Sequence, residues 1–332
     1  MSFINTESAS AHLRQKAINV AERKILITNF HNSQQEEDLT EPPNCEGYGR
    51  VRHFKIGTGE NWPINPLPIL PAAKALNIPA ESKIRAQVFQ NSVCNWRCWY
   101  CFVDFKLLNG DVKHAEFLSC DEMVDMYLKQ PDPPFMIDLT GGQPDLTPEW
   151  IPWMMETLRQ RELDKKIYLW SDDNLSNDYF WKYLTEEQLE VIRNYTMYSR
   201  VCCFKGIDEA SFSLNTKADP ALFNNQFLLA QRLVALGIDL YFYVTITASS
   251  ITDFDTSIPS FLDRLQNINS NLPLRMVPLE IAEFTPVTPR MTDITRDLIK
   301  GQYKAMEVWQ KELQRRFDSS TLKAPITEIS IY

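Results

Sequence analysis

From residue 84 onward, short β-type runs alternate six times with helical stretches, and no other feature of this 332-residue chain restricts its fold so tightly. Residues 84–90 (IRAQVFQ), 135–139, 166–170, 201–204, 240–247 and 274–281 read as strands. Helices are expected near 120–128, where Ser119 and Glu122 have the spacing of a capping box, and after Thr147 and Pro148, with the proline at the first helical position. Further helices are expected from the Thr185 to Gln188 run, over 220–236 with Gly237 as the stop, near 258–268, and over 293–317. Such alternation means parallel strands joined by right-handed crossovers. It fits an open doubly wound sheet or a barrel, complete or partial.

The segment before residue 84 differs. A helix is expected over 7–24, and seven prolines (Pro42, Pro43, Pro63, Pro66, Pro68, Pro71 and Pro79) then break up any regular element. Its apolar residues, among them Tyr48, Phe54 and Trp62, are too many for a solvated linker. An ordered wrap follows, acting as a structural cover or as a lid. The expected division is residues 1–83 as helix and wrap, 84–290 as the core, and 291–332 as a C-terminal helix and tail.

Apolar residues make up 44% and charged residues 23%, with no apolar run of membrane-spanning length. The first residues, MSFINTESASAHLRQK, lack the basic and apolar regions of a secretory leader, so a cytoplasmic protein with no membrane partner is expected. A net charge of -9 argues against a broad nucleic-acid surface. Of the seven cysteines three fall within eight residues, unlike a disulfide framework.

Those three, in Cys94-Asn-Trp-Arg-Cys98-Trp-Tyr-Cys101, directly follow the first strand of the alternation. Three thiolates on one loop can converge on one inorganic centre. A structural zinc site normally takes four protein ligands, and the nearest candidates for a fourth are His114 and Cys120. An iron–sulfur cube held by three cysteines leaves one iron open to a ligand from outside the protein.

The C-x3-C-x2-C spacing with Tyr100 before the third cysteine resembles the signature of the radical S-adenosylmethionine (SAM) enzymes. The resemblance implies an α/β fold, a partial (β/α)6 TIM-like barrel, in agreement with the six units. It also implies a [4Fe-4S] cluster on Cys94, Cys98 and Cys101, with SAM on the fourth iron. Thr140-Gly141-Gly142-Gln143-Pro144 is similar to the family's G-G-E-P motif, in which backbone and acidic side chain receive the SAM amino group; here Gln143 replaces the glutamate. Ser171, Asp172 and Asp173 stand where relatives place polar groups on the SAM ribose. Lys205 matches the lysine of a D-x-K motif that pairs with the SAM carboxylate, whereas Cys203 departs from its aspartate. Cys202 and Cys203 read as core thiols.

On the fifth strand Tyr241, Tyr243, Thr245 and Thr247 share one face, expected to point into the barrel. Arg275, Glu280 and Glu283 lie near the expected substrate region without an assigned role, and the four histidines form no ligand pattern. The Phe-Lys-Gly-Ile-Asp-Glu stretch looks most like the activating-enzyme branch. The resemblance thus implies reductive cleavage of SAM to a 5′-deoxyadenosyl radical, which takes hydrogen from an unidentified substrate, a protein glycine, a peptide or a nucleotide. It also implies a flavodoxin- or ferredoxin-like electron donor. The alternative is a non-catalytic binding or scaffold protein stabilised by a metal or an Fe-S cluster.

Overall fold

A computed structural model describes residues 3–57 and 62–332; residues 58–61, inside the expected wrap, lie outside the described residues. The chain opens with α1 (Thr6–Ala17), β1 (Ile18–Asn19), β2 (Lys24–Thr28), β3 (Gly49–Lys55), α2 (Ile69–Leu76), β4 (Lys83–Gln90), β5 (Ala115–Ser119) and α3 (Cys120–Leu128). Next come β6 (Met136–Thr140), α4 (Trp150–Gln160), β7 (Tyr168–Asp173), α5 (Tyr179–Tyr183), α6 (Glu186–Arg193), β8 (Tyr198–Phe204), α7 (Glu209–Thr216) and α8 (Leu222–Leu236). β9 (Leu240–Thr245), α9 (Phe254–Ile268), β10 (Met276–Leu279), α10 (Asp293–Arg316) and α11 (Ser319–Lys323) complete it.

The main sheet has seven strands in the order β10-β9-β8-β7-β6-β4-β3, all parallel to their neighbours except β3, which runs antiparallel to β4. Six parallel strands thus follow chain order without reversal. A doubly wound sheet reverses its order at a switch point. Steady progression sends every right-handed crossover to the same face, so the sheet curls into a partial (β/α)6 barrel with helices outside.

Alternation along each strand separates two cores. On the helix side Phe204, Phe242 and Val244 pack with Phe223, Phe227, Phe261 and Trp309. On the concave side Tyr241 stacks on Trp170 with ring centroids 6.0 Å apart.

Several local expectations need correction. Pro148 is not the first helical residue: it lies in the turn before α4, whose N-cap is Glu149. The third parallel strand runs on through Asp173, because its polar end still pairs with β8 from Arg200 to Cys202, and a ladder overrides a turn-like composition. The first helix stops at Ala17 rather than near Lys24. Asn19 then accepts from the Glu22 N–H at 3.2 Å in a turn that leads into β2, and the β-branched run KILIT pairs with β5. β3, from the segment read as irregular wrap, joins the main sheet as its edge. No helix of the described residues is long and apolar enough to cross a membrane.

Candidate functional site

A cavity of about 300 Å³ opens at the C-terminal ends of the parallel strands. Cys94, Cys98 and Cys101 line it, together with Tyr100, Gly141, Gly142, Gln143, Asp172, Asp173 and Lys205. Residues spread over 112 positions of sequence therefore meet on one wall.

The cysteine loop is held from three sides. Its start is fixed by the Cys94 N–H, which donates to the Leu108 carbonyl at 3.1 Å. Trp96 and Asn95 reach back to α1, donating to the Thr6 and Ser10 hydroxyls at 3.0 and 2.9 Å. Asn215 of α7 accepts from the Trp99 indole at 3.0 Å, and Arg290 donates to the carbonyls of Cys101 and Val103 at 2.6 and 3.0 Å. Tyr100 packs edge-on against Trp99, and its hydroxyl sits 3.1 Å from that of Thr245.

Burial pushes the Cys98 thiol up to about 12; nearby Lys205 opposes this, and Cys94, Cys101 and Cys203 add to it. Ionising all three thiols therefore requires a compensating cationic centre. Among the described residues no three His, Cys, Asp or Glu side chains are gathered tightly enough to hold a single metal ion. A cube, in contrast, spreads its thiolates over three irons. His114 and Cys120 are not on the wall; the Cys120 thiol is buried against the Trp150 carbonyl at 3.9 Å. The three loop thiols fit an iron–sulfur cube held at three of its corners.

The two glycines are a steric necessity. Gly141 and Gly142 have φ of +70° and +59°, and a Cβ on Gly142 would lie 2.2 Å from the Val93 carbonyl oxygen. The Gln143 N–H donates to that same oxygen at 2.7 Å, so this contact ties the end of β6 to the start of the cysteine loop. Gly142→Ala is expected to lower stability by about 1–3 kcal/mol or more, from backbone strain and the clash. Thermal unfolding checks this; an unchanged midpoint would contradict it.

Gln143 itself is committed elsewhere. Its side chain is wholly buried, donating to Asp173 at 2.7 Å and accepting from the Asn174 N–H at 2.9 Å. Asp173 is also bound by the Leu175 N–H at 3.0 Å and by Arg200 at 3.2 Å. These two side chains build the wall and are not free to meet a ligand. Ser171 is off the cavity altogether: it faces the helices, with its hydroxyl 2.6 Å from that of Tyr198. Asp172 alone of the three polar strand-end residues presents its carboxyl to the concave side, bonded to the Thr140 hydroxyl.

Burial would push the Lys205 ammonium toward neutrality, but Cys203, Tyr100 and Cys98 around it reverse this and hold its pKa well above the usual lysine range. The alternation puts only Cys202 in the core, 3.7 Å from the Asp173 carboxylate. Cys203, read from the sequence as a core thiol, lines the cavity instead. Tyr243 and Thr245 line it as well, whereas Thr247 donates to Asn215 at 3.0 Å. Glu280 is on the wall and accepts from Tyr303 at 3.1 Å. Arg275 belongs to the opposite end of the strand, donating to Asp239 and to the Ile329 carbonyl at 2.8 and 2.6 Å.

Arg52 and Asn65 reach the cavity from the N-terminal segment, unforeseen in the sequence. Their only signal is the every-second-residue spacing of Arg50 and Arg52 in a β-type run. Asp138, one pleat below Thr140, is wholly buried, and neither of its carboxyl oxygens has a hydrogen-bond partner. Burial, reinforced by Asp172, holds its pKa well above the carboxylate range, although Arg52 and Arg50 oppose this. An acid raised in the folded state keeps its proton there while the unfolded chain releases its own, so stability falls as pH rises above about 3.9 toward the folded value. Asp138→Asn is expected to remove up to about 1.4 kcal/mol of that loss per pH unit. Denaturant midpoints at pH 5 and pH 8 read it: the variant should gain on the parent at pH 8, and parallel profiles would contradict the assignment.

No protein-family description matches the chain, and no curated protein does. Among solved structures it is similar to Streptococcus suis SuiB bound to S-adenosylmethionine, with 15% identity and a TM-score of 0.43 over 74% of this chain and 52% of that one. It is also similar to anSMEcpe with bound AdoMet and Cp18Cys peptide, with 14% identity and a TM-score of 0.39 over 58% and 49% of the two chains. The chain thus spans about half the length of either.

Proposed function

We propose that this protein is a radical SAM enzyme that binds a [4Fe-4S] cluster through Cys94, Cys98 and Cys101 and cleaves SAM reductively. One observation carries the reading: three thiols of one loop share a cavity with the Gly141–Gly142 turn and the Lys205 ammonium, at the active end of a partial (β/α)6 barrel. When bound, the cluster supplies the electron that breaks the SAM sulfonium bond homolytically, giving methionine and a 5′-deoxyadenosyl radical. A flavodoxin- or ferredoxin-like protein is the proposed source of that electron, and a peptide, protein or nucleotide is the substrate.

The chain's own groups bind and orient. Gly141 and Gly142 make the positive-φ turn that closes the β6 strand end against the cysteine loop, where a Cβ would strike Gln90 or the Val93 carbonyl. Lys205 pairs with the SAM carboxylate. Asp172 accepts a hydrogen bond from the ribose. With the Gln143 amide spent on Asp173 and Asn174, the SAM amino group is left to backbone carbonyls at the Gly-Gly turn. Tyr100, Phe102 and Ile281 on the wall exclude water from the reacting carbon.

The reading is tested by reducing the anaerobically reconstituted protein with SAM present and measuring 5′-deoxyadenosine; none formed by a fully loaded cluster would overturn it. Lys205→Met is expected to weaken SAM binding about 10-fold or more with iron content unchanged, the usual effect of deleting a charged hydrogen-bond partner. Equilibrium titration with SAM reads it, and equal affinity would remove Lys205 from the site.

A further inference from the structure

Below the cysteine loop, the concave face of the sheet holds charged groups that do not satisfy one another. Arg50 and Arg52, two apart on β3, point to the same side of the sheet. Register places Arg50 in one row with Val88, Asp138, Trp170 and Ser199. Arg52 lines the cavity. Arg50 is only 7% exposed, and its Nε has no hydrogen-bond partner.

Since both Asp138 oxygens are also without a partner, neither arginine bonds to that carboxyl, and among the described residues neither forms a salt bridge. The guanidiniums lie against rings instead: Arg52 is 4.2 Å from the Phe54 centroid, and Arg50 is 5.7 Å from that of Phe102. Arginines set over aromatic rings keep their N–H edges available for a planar anion.

A buried polar group without a partner costs free energy, and several together mark a site completed by something else. A carboxylate ion buried without any donor would cost far more than a protonated acid, so Asp138 carries its proton and does not cancel the arginines. It can then donate as well. Arg52 presents its guanidinium fork to the cavity, with Arg50 and Asp138 buried behind it and the Asp172 carboxyl elsewhere on the wall, and the complement of that fork is an anion with several acceptor oxygens.

We infer that Arg52, backed by the buried Arg50, binds an anionic oxygen group of the substrate at the cavity wall, a carboxylate or a phosphate. This rests on the proposed function, in which SAM occupies the wall above. The bound anion anchors the substrate from below, leaving its reacting C–H toward the cavity mouth.

The test is calorimetry of inorganic phosphate and of succinate binding to the reconstituted protein at fixed ionic strength, with and without saturating SAM. At least one of the two anions is expected to bind, at least tenfold more weakly to Arg52→Gln, with Arg52→Lys in between because it keeps the charge and loses the fork. The preferred anion identifies the group. Binding of neither, equal binding by Arg52→Gln, or binding that falls in Lys205→Met but not in Arg52→Gln would overturn the inference. Should Arg52→Gln fail to fold, Arg52→Lys must still bind more weakly than the parent, and equal binding would overturn the inference. If SAM is not cleaved yet phosphate or succinate binding still depends on Arg52, the proposed function falls and the anion site stands.

Discussion

Cys98→Ala is expected to abolish assembly of the cluster and to reduce SAM cleavage to background, whereas Cys203→Ala leaves the iron and sulfide content of the reconstituted protein unchanged. The contrast matters because four cysteines, not three, stand on the cavity wall. Cys94, Cys98 and Cys101 come from one loop, and the Cys101 N–H donates to the Cys98 carbonyl at 3.0 Å in a tight turn that sets the last two thiols side by side. Cys203 comes instead from the end of β8, where its thiol lies 3.6 Å from the Phe204 carbonyl and the Lys205 ammonium is beside it. In the proposed enzyme the three loop thiolates bind iron and the fourth position is left to SAM. Loss of cluster in Cys203→Ala would mean a closed four-thiolate site with no place for SAM. Iron, sulfide and 5′-deoxyadenosine are measured on the same samples.

The second large effect lies behind the Gly-Gly turn. Arg200 is wholly buried, ion-paired with Asp145 and with Asp173, and stacked 4.9 Å over Phe180. Asp173 in turn holds Gln143 and the Leu175 N–H. Removing the guanidinium leaves two buried carboxyls uncompensated, so Arg200→Met is expected to cost about 3–5 kcal/mol. A drop in the thermal midpoint and weaker SAM affinity should appear together, because the same network fixes the turn proposed to receive SAM. Arg161→Ala, which removes exposed pairs with Asp121 and Asp125, serves as the control and should leave the midpoint unchanged. An Arg200→Met protein as stable as the parent would show that the network adds nothing.

The six strands and the capping boxes at Ser119 and Thr185 were legible in the sequence because they depend on local spacing. So was the clustering of Cys94, Cys98 and Cys101 with Gly141, Gly142, Asp172 and Lys205, since every one falls at the end of a parallel strand. What escaped was the direction of individual side chains and the long-range pairs. Ser171 and Asp173 sit next to Asp172 in sequence, but a strand that continues for three more residues turns them to the helix side. β3 could not be recognised because its inward face carries Arg50 and Arg52, the reverse of the apolar-inward rule that identifies a strand. The Gln143–Asp173–Arg200–Asp145 network spans three segments, and nothing in the spacing of any one of them announces it.

Electron paramagnetic resonance of the anaerobically reconstituted, dithionite-reduced protein, recorded with and without SAM, decides whether the loop thiols hold a cluster with an open iron. The expected result is the signal of a reduced [4Fe-4S] cluster that changes on adding SAM, as the open iron gains a ligand. Zinc without sulfide, or a cluster signal indifferent to SAM, would contradict it.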